Sequence, residues 1–363
     1  MREIVARQWS PDEWSRSQVS WDALLARSSA DPLFLSWGWL THWWQCYGYT
    51  FGHPPRILAF YRGADLVGLA PLYWRIVRRG GLVFARSVQM IGLSWRDPAP
   101  LISEYLDVIA AQQDVAAVRE ACVRELLEES DWQELVIGLT AVGEQWRDTI
   151  NARMPDRSHY VRELDRSTSY QANLVHGFGL YLKVLGQSTR RSVWSLRQRL
   201  AQQGPVRLEQ VPFDEISGGF GDLNRLHHLR WRKPAFSAKR LAFHTDLARR
   251  LSAAGELALS RLRVGKEVVS VLYDIRKGAR QYNIKMAFDP SFNARLSLGL
   301  IHLGYAMEAA ADRGVAVYDF LAGPGQRQDY KRHLSQDRRE LSCVQLVRGP
   351  VLPALYRWHD TSR

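Results

Sequence analysis

The stretch AFDPSFNARLSLGLIHLGYAMEAAADRGVAVYDFLAG, residues 287–323, decides the fold. An apolar helical pattern begins at Leu298, with Gly299 one residue in and Ser297 placed to cap it. A buried-looking strand follows, with an acid, Asp319, in its middle. A helix start carries free backbone N–H groups and about half a positive charge. With a glycine there, a phosphate can approach the backbone, and Arg295 stands near enough to pair with it. Arg295, Ser297, Leu298 and Gly299 are therefore candidate ligand-binding positions.

Working outward, ELALSRLRVGKEVVSVLYDIRKGARQYNIKMAFD, residues 256–289, reads as three or four antiparallel strands. Residues 221–254 read as two helices broken at Pro234, and STRRSVWSLRQRLAQQG, 188–204, as a basic helix ending at Gly204. In the first half, residues 20–50 read as two helices, the second capped by Asp31 or Ser36. Residues 56–77 read as two strands around RGAD, 103–129 as one long amphipathic helix, and QELVIGL at 133–139 as a buried strand.

Setting Gly63 on Gly265 lays FYRGADLVGLAPLYWRI over RLRVGKEVVSVLYDIRK. In both, a glycine turn precedes an acid, two aliphatic residues and a small one. Both halves then run through a helix to an apolar strand. Two degenerate copies of one α/β unit are the economical explanation. Only the second has the small-residue helix start; the first has DPAPLISEYL there.

A chain of 363 residues exceeds one ordinary core, and a Ser/Thr/Gln-rich join near 165–190 divides it into domains 1–165 and 166–363. Three separated cysteines show no disulfide or zinc spacing, so no metal is expected and a reducing compartment fits. No apolar run has signal-peptide or membrane-spanning length, which makes the cytoplasm the expected location. The net charge of +12 favours anionic partners, although 42 of the 49 basic residues are Arg, a bias that genome composition can produce. No recognised nucleic-acid motif accompanies it. The tryptophan-rich WGWLTHWW, 37–44, reads as the aromatic core of an early helix rather than an interfacial membrane motif.

Several stretches together resemble a known family: DPLFLSWGWLTHWWQCYG, ADLVGLAPLYW, FHTDLARRLSAAGELALSRLRVGKEVVSVLYDI, the stretch FDPSF through YDFLAG, and DYKRHL. They are similar to the CelD/BcsL-type acetyltransferases of the GNAT superfamily, themselves similar to the FemABX peptidyltransferases. The resemblance covers roughly residues 20–345. The family's Ser-Pro-Gly helix start is Ser297-Leu298-Gly299 here, and PGQRQD stretches the spacing from Gly323 to Tyr330-Lys331.

The resemblance implies an α/β (α+β) fold of tandem GNAT-like domains, each a mixed, mostly antiparallel sheet flanked by helices. It implies acetyl-CoA as co-substrate, its pantetheine pairing along Met286, Ala287 and Phe288. The implied reaction is acyl transfer, most simply acetyl, to an amine or hydroxyl of a small-molecule acceptor. Sugar, envelope and exopolysaccharide precursors fit, with peripheral membrane or polysaccharide-synthase association as a further expectation. Such chemistry needs a deprotonated acceptor, a polarised carbonyl and a proton for the leaving thiolate. Asp319, among apolar neighbours, is the candidate base; Lys331 and Tyr330 are candidates for charge stabilisation and thiolate protonation. Arg190, Arg191, Trp231 and His244 are candidate acceptor-binding residues. The rival readings are an aminoacyl-tRNA-dependent transferase, as in FemABX proteins, and a non-catalytic scaffold.

Overall fold

The computed structural model describes residues 3–79, 83–95, 101–154, 159–323 and 329–362. The first repeat runs β1 (Ile4–Trp9), α1 (Pro11–Arg16), α2 (Gln18–Ala26), α3 (Trp37–Tyr47), β2 (Arg56–Arg62), β3 (Asp65–Arg79), β4 (Val83–Met90), β5 (Ile109–Ala110), α4 (Val115–Glu128), β6 (Glu134–Thr140), α5 (Gly143–Arg153) and β7 (His159–Asn173). The second runs α6 (Phe178–Val184), α7 (Gln187–Arg190), a π turn (Arg191–Ser195), α8 (Leu196–Ala201), β8 (Val206–Gln210), α9 (Ile216–Trp231), α10 (Ala238–Ala253), β9 (Leu257–Val264), β10 (Glu267–Lys277), β11 (Arg280–Phe288), α11 (Leu298–Asp312), β12 (Val317–Asp319), α12 (Asp329–Leu334) and β13 (Asp337–Arg348), then α13 (Leu352–Thr361).

The repeat read from the sequence is real at the level of register. In the first unit Asp65 lies opposite Arg62, Leu66 opposite Tyr61 and Gly68 opposite Phe60, with Val67 bulged out. In the second, Glu267 lies opposite Val264, Val268 opposite Arg263 and Ser270 opposite Leu262, with Val269 bulged out. One shift maps every pair and the bulge, and it is the shift that sets Gly63 on Gly265. Both turn glycines have positive φ, 65° and 59°, which L side chains resist.

Each unit is a mixed, mostly antiparallel sheet with helices packed on it, the tandem GNAT-like fold. The division of the chain differs from a cut at 165/166. One unit comprises residues 1–167 and 340–363, the other 168–339. The reason is strand pairing. The end of β7 pairs antiparallel with β12, whereas Ser342–Val347 of β13 pair antiparallel with β6. The last strand and α13 thus belong to the first unit.

The helix expected over 103–129 begins only at Val115. Ser36, rather than Asp31, caps α3: its Oγ accepts the Trp39 N–H at 3.2 Å. The tryptophans of α3 turn inward, with Trp39 and Trp43 buried. No helix among the described residues is long and apolar enough to cross a membrane.

The two units diverge where helix meets sheet. Gly68 backs onto α4 so closely that a Cβ would lie 2.5 Å from Val118 Cγ1. At the matching place Ser270 Oγ meets His302 Nδ1 of α11 at 2.9 Å, and Ser260 Oγ lies 2.9 Å from Nε2. Burial pushes the His302 pKa down to about 3. The unfolded chain takes up this proton near pH 6.5 and the folded chain does not. Stability is therefore lost as pH falls from 6.5 towards 3, by about 1.4 kcal/mol per pH unit. Denaturant unfolding at pH 7 and pH 5 should show a smaller acid loss in His302→Gln than in the parent.

Candidate active site

β11 and β12 run parallel for three pairs, Arg280–Val317, Gln281–Tyr318 and Tyr282–Asp319. β12 then stops, while β11 continues to Phe288 against β10. Beyond Tyr282 the two strands part, leaving one side of β11 without a ladder partner among the described residues.

Two carboxylates clamp the point of parting, one on each face of the sheet, since neighbouring strand positions alternate faces. Asp274 of β10 accepts from Tyr318 Oη at 2.5 Å, Gln281 Nε2 at 2.7 Å and Asn283 Nδ2 at 2.8 Å. Burial raises its pKa to about 6, against the pull of those three donors. Asp319 of β12 accepts from Gln171 Nε2 at 2.8 Å, Ser169 Oγ at 3.2 Å and the Leu321 N–H at 2.8 Å, and pairs with Arg280 at 3.4 Å. The expected base is thus a fully buried carboxylate whose neighbours are polar donors and a cation, not apolar groups alone. Each acid ties three strands together just below the gap.

After β12 the chain turns sharply, with Leu321 at φ 56°. Lys331 of α12 holds this turn: its buried ammonium donates to the carbonyls of Leu321 at 2.8 Å and Ala322 at 3.0 Å. Such a non-glycine left-handed residue persists only where its surroundings over-determine it. Tyr330 packs against the core cluster containing Tyr318 and Phe320. Burial raises its hydroxyl pKa to about 12, opposed by the positive charge of Arg230.

The far side of the gap is the start of α11. Gly299 is needed there for close approach: a Cβ would lie 2.9 Å from Met286 Cε and 3.0 Å from the Phe288 ring. Ser297 makes no side-chain cap, and Arg295 is exposed. Met286 and Phe288 thus line this side of the gap, on the stretch 286–288 where the resemblance implies a cofactor. The Arg230 guanidinium lies 4.6 Å over the Phe288 ring and 4.9 Å over that of Trp231, bringing the half-exposed Trp231 to the same end of β11.

Other expected residues lie elsewhere. His244 is fully buried among Phe236, Phe243 and Tyr273, out of an acceptor's reach, so its assignment to acceptor binding is corrected. Arg190 and Arg191 are exposed on α7 and the π turn. Their segment packs across α11 at Gly304, where a Cβ would lie 2.4 Å from the Val193 carbonyl oxygen. No hydrogen bond or ion pair among the described residues joins them to the gap. Residues 324–328, which stretch the spacing to Tyr330, lie outside the described residues.

Among its described residues the first unit has no such gap. The long connection from β4 to α4 folds back into the matching place: the Ser103 N–H donates to the Gly92 carbonyl at 2.7 Å and the Leu106 N–H to the Leu139 carbonyl at 2.9 Å. Trp39 Nε1 donates to Ser103 Oγ at 2.8 Å and Trp43 Nε1 to the Leu101 carbonyl at 2.7 Å, locking this plug. Residues 101–110 are spent on it, which is why α4 starts late. A cavity of about 480 Å³ does lie in this unit, beside Trp74 and Trp132. Its Arg56 and Arg86 are already paired with Glu129 and Asp131.

Residues 187–332 match the acetyltransferase (GNAT) domain family. No curated protein matches the chain. In fold it is similar to FemX, with a TM-score of 0.60 and 11% identity over 93% of this chain and 96% of that one. A conserved protein of unknown function from Bacteroides thetaiotaomicron superposes with a TM-score of 0.58 and 12% identity, over 95% and 100% of the two chains. The C-terminal domain of a putative lysylphosphatidylglycerol synthetase from Agrobacterium fabrum gives 0.52 and 10%, over 97% and 96%. Identities this low speak to fold alone. The second unit carries a GNAT acetyltransferase domain, and the protein is an acyltransferase of that type.

Proposed function

We propose that the second unit binds acyl-CoA, most simply acetyl-CoA, in the gap between β11 and β12, and transfers the acyl group to an amine or hydroxyl of a sugar, envelope or exopolysaccharide precursor. The observation that carries this reading is the contrast between the two copies: one gap is filled by the chain's own backbone, the other is left open beside a glycine-bearing helix start. In the first copy a peptide segment satisfies the parted strands, which is the pairing a pantetheine amide would offer in the second. The acceptor class is supported by the sequence resemblance to CelD/BcsL-type proteins.

The residues fit the group. Met286 and Phe288 offer an apolar rim, and the first N–H groups of α11 offer an anion site with Arg295 beside it. When bound, the thioester would supply an acyl carbon open to attack; the acceptor nitrogen or oxygen would bond that carbon as the C–S bond breaks, and the proton it releases would replace the one Tyr330 gives the sulfur, so that coenzyme A leaves as the thiol. Tyr330, which keeps its proton, donates to the departing sulfur. Asp319, Asp274 and Lys331 act as positioning residues that hold the gap open.

Ser297→Glu tests this reading without unfolding the helix. A carboxylate at a helix start favours the fold, and Ser297 gives up no side-chain cap. The same charge repels a pyrophosphate, costing roughly 2–3 kcal/mol at about 6 Å near a surface. Calorimetric titration should show acetyl-CoA bound at least about tenfold more weakly, with the melting temperature kept or raised. Equal affinity in the variant moves the cofactor off this helix. No binding by the parent sinks the reading and leaves the tRNA-dependent alternative.

A further inference from the structure

We infer that the outward face of the helices packed over α11 is a docking surface for an anionic lipid bilayer. Leu180, Val184 and Trp194 enter the interface, and Lys183, Arg190, Arg191 and Arg199 meet the headgroups. The inference adds a partner and a surface, and it does not depend on where the acyl donor binds.

The surface begins as a charge pattern. Residues 166–208 contain seven Lys and Arg and no Asp or Glu, where the chain's own acid content, 37 in 363, would put about four. Folding lays this run over α11. α6 turns Phe178, Tyr181 and Leu185 into the core that includes Leu303, Ala306 and Met307 of α11, and Val193 of the π turn joins the same cluster. Leu196 and Leu200 of α8 pack with Ile301, nearer the start of α11.

What remains outward is apolar and cationic together. On α6, Leu180 and Val184 stand one turn apart, 50% and 65% exposed, with Lys183 exposed beside them. From Gln187 to Ala201 the helical run buries Val193, Leu196, Arg197 and Leu200 and exposes Arg190, Arg191, Trp194 and Arg199. Trp194 thus sits in a row of arginines, held by the Phe178 ring at 6.0 Å and the Arg197 guanidinium at 4.3 Å. Glu308 of α11 neutralises Arg197 at 2.6 Å. Among the described residues no side-chain hydrogen bond or ion pair engages Lys183, Arg190, Arg191 or Arg199.

A single exposed leucine is ordinary. An aliphatic pair and a tryptophan ringed by unopposed cations is the composition of an interfacial helix, whose apolar groups enter the headgroup boundary while its cations are drawn to acidic lipids. A nucleic acid would use the cations but gain nothing from Leu180 and Val184. In the first unit α13 also exposes apolar groups, Val351, Leu355 and Trp358, but its Arg357 donates to the His159 carbonyl and Asp360 shares its last turn. Arg190 and Arg191 thus serve the bilayer surface rather than an acceptor.

Vesicle flotation tests this on the whole chain. The parent should bind vesicles of equal parts phosphatidylglycerol and phosphatidylcholine at least about tenfold more tightly than phosphatidylcholine alone, and less tightly as salt rises. Leu180→Gln/Val184→Gln and, separately, Arg190→Gln/Arg191→Gln should each weaken that binding at least about tenfold, with the melting temperature of the parent kept. All four positions are exposed, so the fold does not lean on them. A parent with no preference for the anionic vesicles overturns the inference. So does undiminished binding by Leu180→Gln/Val184→Gln. If the arginine variant alone loses binding and loses a homopolymeric RNA in parallel, the face is a nucleic-acid surface. If Trp358→Gln alone loses binding, the contact lies on α13, and in either case the inference falls.

Discussion

Tyr330→Phe is expected to fold, to bind acetyl-CoA as tightly as the parent, and to turn over about 10²–10⁴ times more slowly, the range a positioned proton donor contributes. Burial keeps the hydroxyl protonated, its pKa raised to about 12, while Arg230 pulls the other way. A group that holds its proton at any assay pH serves as a donor to the leaving sulfur and not as a base for the acceptor. Phenylalanine preserves the packing against Tyr318 and Phe320 and removes only the donor. Thiol release measured under saturating acceptor should therefore fall in kcat with little change in KM for acetyl-CoA. A loss below tenfold removes Tyr330 from the chemistry and leaves it a packing residue.

The second large effect lies in the first unit and concerns stability. Arg79 donates through Nε at 2.9 Å and Nη2 at 2.7 Å to Glu134, which also accepts from Tyr356 Oη at 3.0 Å. The Glu134 side chain is 0% exposed and that of Arg79 8%, so water cannot take over for a missing partner. Glu134→Gln should cost about 3–5 kcal/mol, because it leaves a buried guanidinium without its counter-charge. Replacing both, Arg79→Met with Glu134→Leu, should cost far less, since two apolar groups need no compensation. Denaturant unfolding of the four proteins of this cycle measures the coupling. A cost under 1 kcal/mol for Glu134→Gln would show that the pair is solvated in solution. Tyr356 lies on α13, so the same cycle reports on the C-terminal segment that returns to this unit.

The fold was legible where local chemistry is strong. Gly63 and Gly265 announce turns that no other residue makes as easily, and the acid, two aliphatics and small residue after each keep one register down to the bulge. Ser297-Leu298-Gly299 marked a helix start within one residue, the helix read as 299–313 being Leu298–Asp312, although Ser297 makes no side-chain cap. The plug in the first unit was not legible. Residues 103–114 carry enough apolar positions to look helical, and long-range bonds to Gly92 and Leu139, with the pairing of Ile109 and Ala110 on β3, take them out of the helix. The exchange of β7 and β13 was also hidden, because periodicity names a strand but not its partner.

In the candidate site, Asp319, Lys331 and Tyr330 were singled out by resemblance and by the apolar run around Asp319, but their surroundings were not legible. Spacing along β12 cannot show that Ser169, Gln171 and Arg280 converge on Asp319 from elsewhere in the chain. Asp274 was missed although it carries a visible signal, an acid inside the apolar run VLYDI. His244 was misplaced because a helical histidine reads the same whether it faces a cleft or a core.

The central claim is that the acyl donor occupies the open gap of the second unit and not the filled one of the first. Residue-level hydrogen exchange with and without acetyl-CoA tests it most directly, because a ligand pairing along an unpartnered strand edge protects those amides first. Protection should rise at residues 283–288 and 297–301 and stay unchanged at 86–92 and 115–119. Protection confined to the first unit, or none in either at saturating acetyl-CoA, would contradict it.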